Sequence, residues 1–522
     1  MLRHHPSFPD AELAPETDVL NCVRVLTRVL PYLYEKDELH QWEEKLFWTP
    51  RKKLTRKASI SPNILFDGAE AEAQQDQPPA EGKYEDAKPL MEELIDTLCD
   101  LLFYEGFTIP AVSHGKKKVS YVIWQSGVGC NTPVGTTKEC ESNRSEVLRL
   151  LLTVISKGMY MGANMLPVVG VRAITYIATN PDKQQVLSLL CSLLNTTLKY
   201  NPASWSVPYG HQVFKDPKQI LVTYCIELLL AILVYPVPEA GPGDAQKNYY
   251  RHFLGRLHRP QDFQFIFDGM TRILNQPILA NSSYLPGSHA TVKCASEMIM
   301  LFWEMTQCNR RFRSFIIDTD RSHDFIIQIL FYALEYKLDA SKQGVVKMCA
   351  FILQTLSVEK NFGASLNKKF EAQETLPTGI RIQGFNGTYG DFLIQSIYTL
   401  ITMSNDKITT IYPALLAVIV NISGYMQHMS AVTSSKLIQL FTSMSSPSFL
   451  LANDTNHELL ESLLEAMNAI TEHQFPSKSI AYFSLSLHLF CDQKLIRSRK
   501  PTLYLRHTPL PQTIPSPPQP NP

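Results

Sequence analysis

The chain has 522 residues, of which 45% are hydrophobic, and its 49 basic side chains balance its 49 acidic ones. The apolar share allows a large core to be buried. A chain without net charge is a poor candidate for nucleic-acid binding, which depends on neutralising many phosphates. Its ten cysteines form no CxxC pair and no zinc-like spacing, which favours free thiols. We therefore expect no metal and no other cofactor.

The N-terminal part of the chain contains two segments that we expect to be disordered. Residues 1–18 lack both the apolar core of a secretory signal and a helical pattern. Segment 51–88 opens basic and turns acidic and Gln/Pro-rich, so it has little to bury and is predicted as a disordered loop between the first two helices. Ser59, in the sequence RKAS, is a candidate phosphorylation site, although such short matches often arise by chance.

Apolar residues recur at helical spacing through most of the chain. Met91, Leu94, Ile95, Leu98 and Leu102 follow the i, i+3, i+4, i+7, i+11 pattern, which indicates an amphipathic helix. Other segments are apolar on every side and predict buried helices, namely 147–155, 220–234, 325–334, 345–356 and 415–422. The most apolar of them, 220–235, is shorter than a membrane span and contains a glutamate, so we expect it to be buried in protein.

The alternation of amphipathic and fully apolar helices predicts an all-α fold, an irregular HEAT/armadillo-like helical solenoid covering residues 19–475. An irregular all-α domain is the alternative, because no exact repeat is visible. Residues 358–390 form a predicted long loop, and Arg381–Phe385 is the one modest strand candidate. Residues 476–522 are an atypical segment that ends in a Pro-rich disordered tail.

The motifs of common enzyme classes are absent from the sequence. It contains no HExxH, GxSxG or GxGxxG, and the glycines of Gly129–Lys138 have the wrong spacing for a phosphate-binding loop. We predict that the chain is not an enzyme and binds no small-molecule substrate. An enzyme with an unfamiliar helical site remains an alternative, and its signature would be His, Asp and Glu side chains clustered in a deep pocket.

Basic clusters are the candidate surfaces for an anionic membrane or a partner protein. The best candidate is Arg310, Arg311 and Arg313, which follow the apolar helix 295–305 and enclose an aromatic residue. Lys116, Lys117 and Lys118 form a second cluster, and a third is Arg51, Lys52 and Lys53. A triplet contributes roughly 3 kcal/mol near an anionic bilayer, which is too little for stable anchoring without a second signal. Ordinary solvated loops are the alternative interpretation of each cluster.

Six stretches, in order along the chain, resemble the Hid-1 family of high-temperature-induced dauer-formation proteins, related to dymeclin. They are NCVRVLTRVLPYLYE (21–35), LHRPQDFQFIFDGMTRILN (257–275), NRRFRSFII (309–317), EKNFGASLNK (359–368), GTYGDFL (387–393) and VIVNISGY (418–425). The resemblance implies an ordered element at Asn361, Phe362, Gly363, Leu366 and Asn367. At residue 2 a leucine stands where animal members have glycine, so N-myristoylation is not expected.

The same resemblance implies a non-enzymatic peripheral protein on the cytosolic face of the Golgi and trans-Golgi network. Such proteins act in vesicle trafficking and in the sorting of secretory cargo, and they move between cytosol and membrane. The implied partners are proteins of the Golgi trafficking machinery and, weakly, an anionic membrane surface. A cytosolic helical-repeat adaptor of a chaperone or the ubiquitin pathway, without membrane contact, is the alternative.

Overall fold

The computed structural model describes residues 16–54, 84–111, 119–201, 217–239, 246–281, 294–377, 380–405 and 407–474. Helices dominate these ranges. The first helix begins at Glu16, so the last residues of the expected disordered N-terminus are helical. Residues 1–15 and the atypical segment 476–522 lie outside the described residues.

The first ten helices range in length from six residues to 20. They are α1 (Glu16–Glu35), α2 (His40–Trp48), α3 (Leu90–Leu101), α4 (Lys138–Ile155), α5 (Arg172–Ala178), α6 (Lys183–Lys199), α7 (Pro217–Val234), α8 (Tyr249–Gly255), α9 (Pro260–Leu274) and α10 (Gln276–Asn281). The later helices are α11 (Ala295–Cys308), α12 (Arg310–Asp318), α13 (Ser322–Tyr336), α14 (Gln343–Ser357), α15 (Lys360–Ser365), α16 (Tyr389–Thr402), α17 (Tyr412–Ser423), α18 (Ala431–Met444), α19 (Pro447–Leu450) and α20 (Asn456–Gln474).

Long helices form two parallel layers. In the first layer α1, α4, α7, α11, α14, α17 and α20 each pack against the next helix in the row. In the second layer α6, α9, α13, α16 and α18 do the same. The layers are joined by helices close together in the chain: α6 with α7, α9 with α11, α13 with α14, α16 with α17, and α18 with α20. This succession of helix pairs confirms the predicted all-α helical solenoid of HEAT/armadillo type.

The apolar spacing of each helix explains its place in the two layers. In α3 the predicted stripe of Met91, Ile95 and Leu98 is buried, as one apolar face requires. Helices α14 and α17, which are apolar on most sides, lie in the first layer with a neighbour on each side and a partner in the second layer. Each fully buried aliphatic side chain contributes about 2 kcal/mol, so these central helices supply much of the stability.

Helix α7 is, within the described residues, the one helix long and apolar enough to cross a membrane by length and composition. Here α4, α6 and α11 pack around it. Ile226, Leu229 and Leu233 are fully buried against these neighbours. The helix thus packs as the core helix that the sequence predicted.

Segment 51–88 differs from the expected disordered loop at both ends. Arg51–Leu54 (β1) pairs antiparallel with Tyr84–Ala87 (β2), and both α1 and α2 precede the ladder. The register sets Lys52 opposite Asp86, and such cross-strand pairs of opposite charge stabilise a short ladder. Residues 55–83, including Ser59, lie outside the described residues.

The predicted long loop at 358–390 contains the helix α15, in agreement with the ordered element that the resemblance implied. The strand expected at Arg381–Phe385 does not form. Instead the amide of Arg381 donates to the carbonyl oxygen of Pro377 at 3.0 Å, and Gly384 takes a φ of +66°. The alternating apolar residues of this segment lie in a turn. In the described residues, no neighbouring strand is present with which the segment could pair.

Candidate functional surface

Arg310 and Arg311 occupy the first turn of α12 and are exposed to solvent. The preceding helix α11 ends at Cys308, so the arginines begin a separate helix and do not close the apolar one as expected from the sequence. The first turn of α12 contains no acidic residue. Because cations at a helix N-terminus oppose the helix dipole, helix stability does not explain these two side chains.

Asn309 fixes the start of α12 to the turn between α8 and α9. Its Oδ1 accepts a hydrogen bond from the amide of Phe312 at 2.9 Å and so caps the helix. Its Nδ2 donates to the carbonyl oxygens of Leu254 and Leu257, each at 3.0 Å. The side chain of Asn309 is 1% exposed, so the two arginines extend from a rigid, buried anchor.

The third predicted arginine has a different environment. Arg313 Nε lies 3.0 Å from Glu359 Oε1, which ties α12 to the residue preceding α15. Between the arginines, Phe312 is fully buried, with ring centroids 5.6 Å from Phe263 and 6.0 Å from Phe302. Arg313 therefore helps to join two helices, whereas Arg310 and Arg311 face solvent.

The family-like residues of α15 join α12 to α16. Asn361 Nδ2 donates to Asp318 Oδ1, at the end of α12, at 3.1 Å. Phe362 and Leu366 are fully buried. The carbonyl oxygen of Leu366 accepts from the amide of Gly390 in the first turn of α16 at 2.9 Å. The ordered element implied by the resemblance is thus a junction between helices.

The same element contacts the end of α17. Asn367 Nδ2 donates to the carbonyl oxygen of Tyr425 at 2.8 Å, and Asn367 Oδ1 accepts from the amide of Gln427 at 2.6 Å. A Cβ placed on Gly363 would lie 2.5 Å from the ring of Tyr425. Four of the six family-like stretches, from 309–317 to 418–425, therefore meet at one place. The resemblance marked them singly and gave no sign that they touch.

Ion pairs and a histidine complete this junction. Lys368 Nζ lies 2.5 Å from Asp320 Oδ2, and this hydrogen bond lowers the pKa of the exposed Asp320 carboxyl. His323 Nε2 is 2.9 Å from the carbonyl oxygen of Ser365, and its ring centroid is 4.4 Å from that of Tyr389. These groups satisfy one another, so the junction positions the basic turn of α12 and presents no reactive constellation.

A cavity of about 450 Å³ lies between α1, α2, α4 and α5. The cavity is lined by ionisable side chains of the kinds found in enzyme active sites, but these side chains pair with each other. Glu43, 1% exposed, accepts from Lys157 Nζ through both carboxylate oxygens at 2.9 and 2.8 Å. His40 Nδ1 is 3.6 Å from Glu43, and Arg172 pairs with Glu44. In the part of the chain that is described, no group of His, Cys, Asp or Glu could hold a metal ion.

The other predicted site residues lie elsewhere. Lys116, Lys117 and Lys118 fall outside the described residues, as does the candidate phosphorylation site Ser59. Arg51 donates to the carbonyl oxygen of Lys88 at 3.2 Å and pairs with Glu93. The structure thus brings the α12 arginines together with the α15 element, whereas Arg51 lies in the ladder of β1 and β2.

Comparison with known proteins places these features in context. The family model described as Hid1, high-temperature-induced dauer-formation protein, matches residues 1–491. The Ubp5-interacting protein ftp105 of Schizosaccharomyces pombe is 33% identical over 93% of this chain and 59% of its own length. Protein HID1 of Homo sapiens is 32% identical over 90% of the chain and 58% of its own length. For Protein HID1 of Dictyostelium discoideum the values are 29%, 77% and 47%.

The chain thus spans less than two thirds of the length of these relatives. No solved structure matches it.

Proposed function

Because the chain belongs to the Hid1 family of high-temperature-induced dauer-formation proteins, we propose that it is a non-enzymatic peripheral scaffold of the Golgi and trans-Golgi network. In this role it acts on the cytosolic face of the membrane, in vesicle trafficking and in the sorting of secretory cargo. The observation that carries the proposal is the two-layer helical array, which offers an extended surface. In the cavity between α1, α2, α4 and α5, the ionisable groups pair with one another.

Protein binding is the activity that such an array supports best. Stacked helix pairs create long surfaces on which partners dock, and here the partners would be proteins of the trafficking machinery. One relative is named for an interaction with another protein, Ubp5. The relatives compared are not named as enzymes. Since they are longer than this chain, the proposal concerns the contribution of the helical array to the activity of a whole protein.

The basic turn of α12 is the proposed contact with anionic lipid. Arg310 and Arg311 project from a helix that Asn309 and Phe312 hold in place. Two basic residues near an anionic bilayer contribute about 2 kcal/mol, or about thirtyfold in affinity. This is a weak attraction that suits a protein exchanging between cytosol and membrane, and it needs a second membrane-binding element for stable attachment.

Localisation of the tagged chain tests the proposal. With a fluorescent tag and a trans-Golgi marker, we expect perinuclear puncta that overlap the marker; a uniformly diffuse signal contradicts the proposal. In vesicle sedimentation, Arg310→Glu with Arg311→Glu should lower binding to phosphatidylserine-containing vesicles by at least about thirtyfold. Lys138→Glu with Lys183→Glu is the matched control, because these exposed lysines also begin helices, α4 and α6.

A cytosolic helical-repeat adaptor without membrane contact is the second candidate, since the Ubp5-interacting relative is named for a protein interaction alone. It predicts a diffuse signal and no sedimentation with either neutral or anionic vesicles. Proximity labelling in the same cells separates the two functions, because Golgi neighbours support the scaffold and cytosolic quality-control proteins support the adaptor.

A further inference from the structure

Residues 158–171, between α4 and α5, form a protrusion that we call the apolar knob. Its sequence, GMYMGANMLPVVGV, contains no charged side chain. Met159 is 84% exposed, Val168 72% and Val169 57%, and Tyr160 and Met165 are also exposed. So many large apolar side chains at the surface of one short segment indicate an interaction site.

The knob is held firmly at its base. Gly170 has a φ of +69°, and a Cβ there would lie 2.4 Å from the hydroxyl oxygen of Tyr235. That hydroxyl accepts from the amide of Val171 at 2.7 Å and lies 2.8 Å from Thr175 Oγ1. At the other end, Lys157 is bound by the buried Glu43 described above. The exposure of the knob is therefore a property of a fixed conformation.

Backbone hydrogen bonds close the part of the knob that holds its exposed valines. The amides of Val168, Val169 and Gly170 all donate to the carbonyl oxygen of Met165, and Pro167 has no N–H. The amide of Met165 itself donates to Gly162. Lipid cannot satisfy backbone donors, so a segment that enters it must close them internally. A loop that docks on another protein can take hydrogen-bond partners from that protein instead.

The knob has no charged side chain of its own, and charged groups border it. The first charged residues on either side in the sequence are the cations Lys157 and Arg172. Both are paired, with Glu43 and Glu44 respectively, and Glu92 and Glu239 line the surface beside Val168 and Val169. Cationic side chains that flank an apolar segment can lie at the phosphate level of a bilayer, and the amphipathic ring of Tyr160 suits the same interface.

We propose that the apolar knob inserts into the interfacial layer of a lipid bilayer. The inference deepens the proposed function, on which it rests, by naming lipid as the occupant of this surface. Because the flanking ion pairs are closed, insertion is driven by apolar burial and depends little on lipid charge.

Flotation of the full chain with vesicles tests the insertion. We expect binding both to vesicles of phosphatidylcholine alone and, more strongly, to vesicles that also contain phosphatidylserine. Val168→Asp with Val169→Asp should reduce binding at least about tenfold on both vesicles, because a carboxylate resists transfer to the bilayer. The matched control is Leu451→Asp with Val432→Asp, whose side chains are 86% and 56% exposed at the other end of the array.

A second measurement protects the test against misfolding of the charged variant. A tryptophan at Val168→Trp should be quenched by brominated lipid, whereas Leu451→Trp should not be. The inference is overturned if the Asp pair binds vesicles like the parent, or if the parent binds neither kind of vesicle. It is also overturned if the knob joins two copies, seen as a parent dimer that the Asp pair converts to a monomer without any vesicle binding.

The outcome separates this inference from the proposed function. If the Asp pair binds vesicles normally and the tagged parent still marks the trans-Golgi network, the insertion is wrong and the proposed function stands. If the tagged parent is diffuse in cells while the Asp pair abolishes vesicle binding, insertion stands and the proposed location fails.

Discussion

The ring of Tyr425, at the end of α17, lies on the backbone of Gly363 in α15, so close that a Cβ at residue 363 would come within 2.5 Å of it. This contact and the two hydrogen bonds of Asn367 hold α15 against the turn after α17. Only glycine allows the approach. The close packing makes residue 363 a sensitive probe of the junction that supports α12.

We predict that Gly363→Ala destabilises the fold by about 1–3 kcal/mol, because the new methyl group must displace the ring of Tyr425. Gly344→Ala is the control, since a Cβ at that position of α14 meets no atom within 4 Å. There the change should be neutral or should stabilise by up to about 1 kcal/mol. Urea unfolding of the three proteins measures both effects, and equal stabilities for the two variants would contradict the close contact.

Asp391 is predicted to be the most sensitive cap in the array. It is fully buried in the first turn of α16, where Oδ2 accepts from the amide of Thr388 at 3.0 Å. Its Oδ1 accepts from the amide of Ser430 at 2.9 Å and from Thr433 Oγ1 at 2.5 Å, which links α16 to α18. Asp391→Ala removes the acceptor of the buried Thr433 hydroxyl and of the half-buried amides of Thr388 and Ser430, so we expect a loss of about 3 kcal/mol or more.

The comparison for Asp391 is Asp182→Ala, which removes an exposed N-cap of α6 that accepts from Gln184 and Gln185. This change should cost about 1 kcal/mol, because water can replace the lost oxygen. Thermal unfolding with a matched denaturant series measures both. A cost for Asp391→Ala no larger than that for Asp182→Ala would show that the α16–α18 link contributes nothing of its own.

We predict that Arg144 makes the fold less stable than an apolar side chain at the same position would. It is 3% exposed, and burial lowers its pKa to about 10. Its guanidinium lies 4.8 Å from the centre of the Trp124 ring, and Nη1 donates to Thr136, while Nε and Nη2 find no partner in the described residues. We expect Arg144→Met to stabilise the fold by about 1–3 kcal/mol in urea unfolding.

The control for Arg144 is Arg149→Met, on the same helix, whose side chain is 47% exposed and lies 3.8 Å from Glu146. A surface pair of this kind contributes at most about 1 kcal/mol, so the change should be small. If Arg144→Met instead weakens the fold, the contact between the cation and the Trp124 ring outweighs the cost of desolvation.

Glu304 should make stability depend on pH. It is 5% exposed, and burial raises its pKa above 4.5, although Arg251 at 3.1 Å opposes the shift. A carboxyl whose pKa is higher in the folded state stabilises fully below the unfolded pKa, and this contribution is lost as pH rises through the folded pKa. The difference in Tm between Glu304→Gln and the parent should therefore increase from pH 4.5 towards pH 7. Glu335→Gln, exposed on α13, sets the baseline for removing a surface charge, and equal pH trends for both variants would refute the burial effect.

The helices could be predicted because the residues that bury them recur along the chain at one spacing. Leu190, Cys191, Leu194 and Leu198 lie on one face of α6, and all are buried. Segments apolar on every side became helices with neighbours on several sides, as at α7. The local sequence is enough to predict such a helix, because an apolar stripe can be buried against any apolar surface and does not depend on one particular partner.

The arrangement of the candidate surface could not be predicted, because it depends on pairs far apart in the chain. Glu359 pairs with Arg313, and the ring of Tyr425 packs on Gly363. The residue types alone do not identify these partners. The ladder of β1 and β2 was not predicted from the sequence, because RKKL and YEDA are short and rich in charged residues. The apolar knob was missed as well. Its signal was present in the uncharged run from Gly158 to Val171, which has no helical period.

The layered packing also bears on how the molecule responds to force. Each helix of a row packs against the next one. A slight rotation between neighbouring helices costs little free energy and is repeated at every step along the array. Small rotations at α4, α7 and α11 add to a large change of curvature across the protein, with no hinge required.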